Sequence, residues 1–461
     1  MGLLTWARPT GRISFFKAKD NNLFLTRKTG KKSGATEQTT LADLCRAATP
    51  ARCDLNPFLF NGHLQTCWTA VKFDKVPVYY KRRMFEADSV EYQGQFAIDF
   101  VVDPYEAPKD PLATDAQRKY TLPSGLPERT AMFSEDEFAA LPSGDNKPML
   151  VVLHGLSGGS HELYLRHVLH PLIVDQKWEA CVVNSRGCAQ TKISSGILYN
   201  ARATWDVRQA VKWLRENFPN RPLYGIGFSL GANILTNYLG EEGEACQLKA
   251  AVICASPWNL EISNVILQST FMGLKVYSKV MGTSMKQLFE HHAEEVVKNP
   301  RVDAEAVRSI KYLHEFDRAL QCPLWGYPTE GAYYRDSASV DSLLAIRIPF
   351  FVVQAEDDPI ACVQALPFQE ISQTPYGVMM TTSWGGHLGW FELGGDRWFA
   401  KPVANFLNLM ADDIDVDLPP VVEKPEQVHG QTSRSDGVTA VVSNAADFSP
   451  MRRKLALPLS N

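Results

Sequence analysis

The stretch from Leu223 to Gly231, reading Leu-Tyr-Gly-Ile-Gly-Phe-Ser-Leu-Gly, constrains the fold more than any other part of the chain. An apolar run of strand length enters Gly227-Phe228-Ser229-Leu230-Gly231, and a helix-length segment, Ala232 to Leu239, follows with no loop between them. A serine held in so sharp a strand-to-helix turn needs small flanking residues, because a Cβ there would collide with neighbouring backbone. The helix that begins at the turn aims its N–H groups and positive dipole end at any negative charge forming beside Ser229 Oγ. This context, more than the Gly-x-Ser-x-Gly pattern alone in a chain with 30 glycines, points to a nucleophile elbow.

Around the elbow, short apolar runs alternate with amphipathic segments of helix length, which predicts a parallel sheet. The runs begin at Met149, Ala180, Leu223, Ala250, Phe350 and Val378. The connection between Ile253 and Phe350 is far too long for one helix. Its apolar stripe from Val265 to Met281 and the charged amphipathic stretch from Phe289 to Val297 predict a helical cap inserted at about residues 258–346. The same stripe fits ordinary packing against the side of the sheet equally well. Upstream, Arg82 to Asp103 reads as an antiparallel hairpin around Gln93-Gly94, and residues 104–147 as a long surface loop. Residues 1–55 read as a loosely structured lead-in, residues 56–410 as the catalytic domain, and residues 411–461 as a disordered tail.

A serine hydroxyl is a weak nucleophile until a base takes its proton, so a histidine and an orienting acid are required. Gly385-Gly386-His387-Leu388-Gly389 follows the last strand, and Glu356-Asp357-Asp358-Pro359-Ile360 ends the one before it. The order serine, acid, histidine is that of an α/β-hydrolase. Asp358, followed by Pro and Ile at the strand-end turn, is favoured over Asp357, with Glu356 third; adjacent carboxylates are separable only by geometry. An oxyanion hole needs two backbone N–H groups. Leu230 follows the nucleophile, and Leu156 lies in the Gly-rich turn His154-Gly155-Leu156-Ser157-Gly158-Gly159. His154 and His161 belong to that turn and read as structural, and His291-His292 as a solvated helix face rather than a metal site. No cofactor and no metal are expected.

The charge balance, 47 Lys+Arg against 51 Asp+Glu, supplies no basic excess for a nucleic-acid partner. Nine scattered cysteines without a C-x-x-C pair indicate neither a disulfide framework nor a zinc ribbon. The N-terminus lacks a signal-peptide core, and the charge-free stretch Ile262 to Leu274 falls short of the ~20 residues that cross a bilayer. The expected location is intracellular and cytoplasmic, with at most peripheral contact with a membrane or lipid droplet.

The runs His154 to Glu162 and Asn184-Ser185-Arg186-Gly187-Cys188, the elbow through Asn233 with Tyr238-Leu239-Gly240 behind it, Gly386-His387, and Asn61-Gly62-His63-Leu64-Gln65-Thr66 together resemble the AB hydrolase 4 family over roughly residues 56–410. Within it the chain is most similar to the fungal medium-chain fatty acid ethyl ester synthase/esterases. The resemblance implies an α/β-hydrolase fold, with a mostly parallel central sheet, antiparallel N-terminal strands and a helical cap. It implies Ser229, Asp358 and His387 as the triad. It also implies acyl transfer from an ester or from acyl-CoA, as co-substrate, to water or an alcohol, so that the partners are small molecules.

Overall fold

Along Met149–Leu153 every side chain is buried, yet neighbours serve different cores: Met149, Val151 and Leu153 face one apolar cluster, Leu150 and Val152 the other. That pattern belongs to a strand covered on both faces, and it recurs across the middle of the sheet. The computed structural model describes residues 10–28, 37–71, 76–105 and 125–423. Its main sheet has ten strands, numbered here in chain order: β1 Ile13–Lys17, β2 Tyr79–Glu86, β3 Gln95–Val102, β4 Thr130–Met132, β5 Met149–Leu153, β6 Glu179–Asn184, β7 Leu223–Phe228, β8 Leu248–Cys254, β9 Phe350–Ala355 and β10 Gly377–Thr382. The spatial order is β1-β10-β9-β8-β7-β5-β6-β3-β2-β4. The six strands read from the apolar runs are mutually parallel, and β2 and β3 form the antiparallel hairpin.

The principal helices are α1 Leu41–Ala48, α2 Gly62–Trp68, α3 Leu163–Ile173, α4 Thr204–Asn217, α5 Leu230–Glu242, α6 Leu260–Ser269, α7 Lys279–His291, α8 Glu330–Ser337 and α9 Ala400–Asp412. Helices α1, α3 and α9 contribute to the core on one face of the sheet. Helices α4 and α5 lie on the other, where the insert joins them through Met285, Phe289, Phe316 and Trp325. The insert thus packs into the core, as the second reading of its apolar stripe had it, and its Leu260, Met281 and Leu313 share a cavity wall with Ser229 at the end of β7.

Three expectations are corrected. The segment read as a loose lead-in supplies edge strand β1, whose Phe15 pairs with Met380, and α1, whose Leu41, Leu44, Cys45 and Ala48 are buried at helical spacing. Basic residues around short apolar pieces masked that period. The loop expected over 104–147 holds β4, which pairs in parallel with β2, and a short helix, Glu135–Ala139, closed by a Ser134–Glu137 capping box. Of the segment read as a disordered tail, Val421–Val422 pairs with Leu23 and Phe24, and residues 424–461 lie outside the described residues. No helix among the described residues is long and apolar enough to cross a membrane.

Candidate active site

Ser229 sits between β7 and α5 with φ 51° and ψ −120°, a conformation costly for a residue with a Cβ. The flanking glycines make the turn possible by close approach: a Cβ on Gly227 would stand 2.5 Å from Gly231 O, and one on Gly231 2.4 Å from His154 O. The strand-end loops after β9 and β10 bring the other two groups to it. His387 Nε2 lies 2.8 Å from Ser229 Oγ, and His387 Nδ1 lies 2.7 Å from Asp358 Oδ2. All three residues are at most 9% exposed, so solvent does little to weaken these contacts.

The two adjacent aspartates are separated by their partners. Asp358 Oδ1 accepts from the amides of Ile360 and Ala361, each at 2.8 Å, which leaves Oδ2 for the imidazole. Asp357 turns the other way, and its Oδ1 accepts from the amides of Gly385 and Gly386 at 2.9 Å. Asp357 therefore fastens the histidine loop, although burial pushes its carboxyl above the usual aspartate value.

The loop carrying Leu156 is fixed from several sides. The amide of Gly155 donates to Tyr164 Oη and that of Ser157 to Tyr199 Oη, both at 2.8 Å. Ser160 N donates to Asn184 Oδ1, and Ser160 Oγ to buried Asp99, which also pairs with Arg82. The tyrosines thus consume the amides on either side of Leu156, while Leu230 N, at the first turn of α5, has no carbonyl within its own helix. His154 is structural in its contacts: Nε2 accepts from Ser185 N at 3.0 Å, Nδ1 faces Gly155 O, and burial lowers its pKa to about 4, so the ring is neutral.

Residues 148–368 match the family model described as alpha/beta hydrolase fold. A protein named monoacylglycerol lipase from Saccharomyces cerevisiae is 35% identical over 85% of this chain and 89% of its own length. This chain belongs to the alpha/beta hydrolase family. The medium-chain fatty acid ethyl ester synthase/esterase 2 of the same yeast is 30% identical over 77% of this chain and 85% of its own. Human phospholipase ABHD3 is 28% identical over 56% and 63%.

In this alpha/beta hydrolase helices of the insert and the elbow line a cavity of about 100 Å³ whose wall includes Ser229, Leu156, Leu230, Leu267, Met281 and Met285. Its lining is mainly apolar, which suits an acyl chain. The Asn61-Gly62-His63-Leu64-Gln65-Thr66 run, without an assigned task in the sequence, forms α2 and clamps the histidine loop. Thr66 Oγ1 accepts from His387 N at 2.9 Å, and Gln65 Oε1 accepts from Phe391 N at 2.7 Å. The signal for this lay in the polar residues of an otherwise short helix, but their target is 321 residues away. Of the histidine pair, His291 is exposed as expected, but His292 is buried with Nε2 2.9 Å from Gly187 O.

Proposed function

We propose that this alpha/beta hydrolase is a serine esterase and acyl transferase acting on neutral acyl esters, with Ser229 as nucleophile, His387 as general base and acid, and Asp358 as the acid that orients it. His387 Nε2 takes the proton of Ser229 Oγ as the oxygen attacks the ester carbonyl carbon. The tetrahedral oxyanion is held by the amides of Leu156 and Leu230. As the carbonyl re-forms, the bond to the alcohol oxygen breaks, and the alcohol leaves with the proton from Nε2. Water or a second alcohol, deprotonated by His387, then attacks the acyl-serine carbonyl; the bond to Ser229 Oγ breaks, the serine takes the proton back from Nε2, and the acid or a new ester is released. An acyl-CoA thioester enters the same sequence with the thiol as leaving group.

The observation that carries this reading is the run of two short hydrogen bonds, Ser229 to His387 to Asp358, opening on an apolar cavity. The names of the two yeast relatives, a monoacylglycerol lipase and an ethyl ester synthase/esterase, agree on acyl esters as the substrate class. A fluorophosphonate probe is expected to label the wild type and not Ser229→Ala. Labelling that survives in the variant overturns the nucleophile, and an unlabelled wild type would favour a catalytically silent binding module. A panel of p-nitrophenyl esters of increasing chain length, with and without ethanol, reads acyl length and the split between acid and ethyl ester together.

A further inference from the structure

The apolar cavity that Ser229 lines also holds two polar groups that its apolar lining leaves unmatched. Asp317 and Asn200 share its wall with Leu267, Met281 and Leu313, and both are buried, at 6% and 2% exposed. Asp317 Oδ2 accepts from Tyr334 Oη at 2.6 Å, while Oδ1 takes no hydrogen bond among the described residues and is not sealed off by its neighbours. Asn200 Oδ1 accepts from Arg202 N at 2.8 Å, and Nδ2 is likewise open and without an acceptor among them. Surrounding bonds bring the two residues to one region of the wall. Gln321, in the same short helical segment as Asp317, donates from Nε2 to Tyr199 O at 3.2 Å. Tyr333, next to the Tyr334 that holds Asp317, accepts from Ala201 N at 2.9 Å. Both neighbours of Asn200 are thus tied to the elements around Asp317.

A carboxyl oxygen and an amide NH2 group facing an apolar cavity are costly unless a ligand matches them. A hydroxyl matches both: its oxygen accepts from Asn200 Nδ2 and its proton goes to Asp317 Oδ1, the two bonds a water would make there. A methyl or methylene group matches neither. An ammonium has no acceptor for Asn200, and a carboxylate would meet Asp317 with like charge. Burial raises the pKa of Asp317 to about 7, and a hydroxyl, donor and acceptor at once, bonds the carboxyl in either protonation state. Because Ser229 lines the same cavity, one bound molecule reaches both places.

Resting on the esterase reading above, we infer that the cavity is built for a hydroxylated acyl chain: with the ester carbonyl at Ser229, Asp317 and Asn200 bind a hydroxyl carried further along the acyl group, so that esters of hydroxy acids are preferred to those of plain acids. The test compares kcat/KM for methyl esters of ω-hydroxy acids and of the unsubstituted acids over a series of chain lengths, in the wild type, Asp317→Leu and Asn200→Asp. The wild type is expected to favour the hydroxy ester about tenfold at the length that sets the hydroxyl against Asp317, the size of a hydrogen bond to a charged group, and to lose that preference at other lengths. In Asp317→Leu the hydroxy ester is expected to lose about tenfold while the plain ester gains, because an apolar side chain of similar size replaces a carboxyl. A structural defect would lower both values together, so their opposite movement reports the contact. Asn200→Asp keeps the bond from Arg202 N but loses the donor; it is expected to lower the ratio likewise, and it decides the matter if Asp317→Leu does not fold. A wild type without the preference at any length, or a ratio unchanged in the variants, in an enzyme whose Ser229 reacts with fluorophosphonate, overturns this inference alone. Absence of hydrolysis of either ester, with no fluorophosphonate labelling, overturns the esterase reading and this inference with it.

Discussion

Replacing Asp357 and Asp358 one at a time by asparagine separates two carboxylates of identical chemistry that are adjacent in the chain. In Asp358→Asn the amide oxygen can keep the bonds from Ile360 and Ala361, but the NH2 group then faces His387 Nδ1 where Oδ2 stood. A donor there favours the imidazole tautomer with its proton on Nε2, the atom 2.8 Å from Ser229 Oγ, so the base is blocked and the imidazolium loses its counter-charge. The expected loss in kcat is about 10³–10⁴-fold, or about 4–5.5 kcal/mol of transition-state stabilisation. In Asp357→Asn the oxygen that accepts from Gly385 and Gly386 can remain, and only its charge is lost. Each bond then weakens by about 1 kcal/mol. Relief from burying a carboxylate offsets part of that, because burial already disfavours the ionised form of Asp357. The rate is expected to fall less than about tenfold, corresponding to under about 1.4 kcal/mol. The assay is the pre-steady-state burst of p-nitrophenol from a p-nitrophenyl ester, with thermal denaturation confirming that both variants fold. Losses of similar size in the two variants would refute the division of labour.

Gly231→Ala places a Cβ 2.4 Å from His154 O and 2.5 Å from Leu153 O, both backbone atoms that cannot swing aside. It is expected to cost about 1–3 kcal/mol or more in a denaturant titration and to abolish fluorophosphonate labelling. Thr66→Ala leaves the amide of His387 without its acceptor, an expected loss of about 1–3 kcal/mol in stability together with lower kcat, and Thr66→Ser is expected to restore both. Asp317, buried in the wall of the apolar cavity and bonded to Tyr334, is raised by burial from 3.8 to about 7. Its folded pKa lies above its unfolded one, so the stability it contributes is full below pH ~4 and is lost as pH rises through ~7, by about 4 kcal/mol at most. Asp317→Asn lacks that loss, and urea titrations from pH 4 to 8 should show its stability gaining on that of the wild type as pH rises.

Much of this protein was legible because it is local. The apolar run of β5, the apolar run before Ser229 and the helix after it involve neighbours in sequence, and the side-chain pattern carries the information directly. The order of serine, acid and histidine follows the order of strand ends, which also lies along the chain. Strand β1 and helix α1 were missed for the opposite reason. Phe15 becomes part of the sheet only because Met380 lies beside it, and α1 is a short helix secured by packing against the rest of its core.

By itself, then, the sequence determined the parallel sheet, the elbow at Ser229, the histidine loop and a preference for Asp358. Only the tertiary structure decided what Asp357 does, that Thr66 and Gln65 hold the histidine loop, and that Tyr164 and Tyr199 bracket Leu156. The physical reason is the direction of bonds. A carboxylate's role is set by which donors converge on its two oxygens, and here those donors come from loops and helices far apart in sequence, which residue types and spacing do not encode.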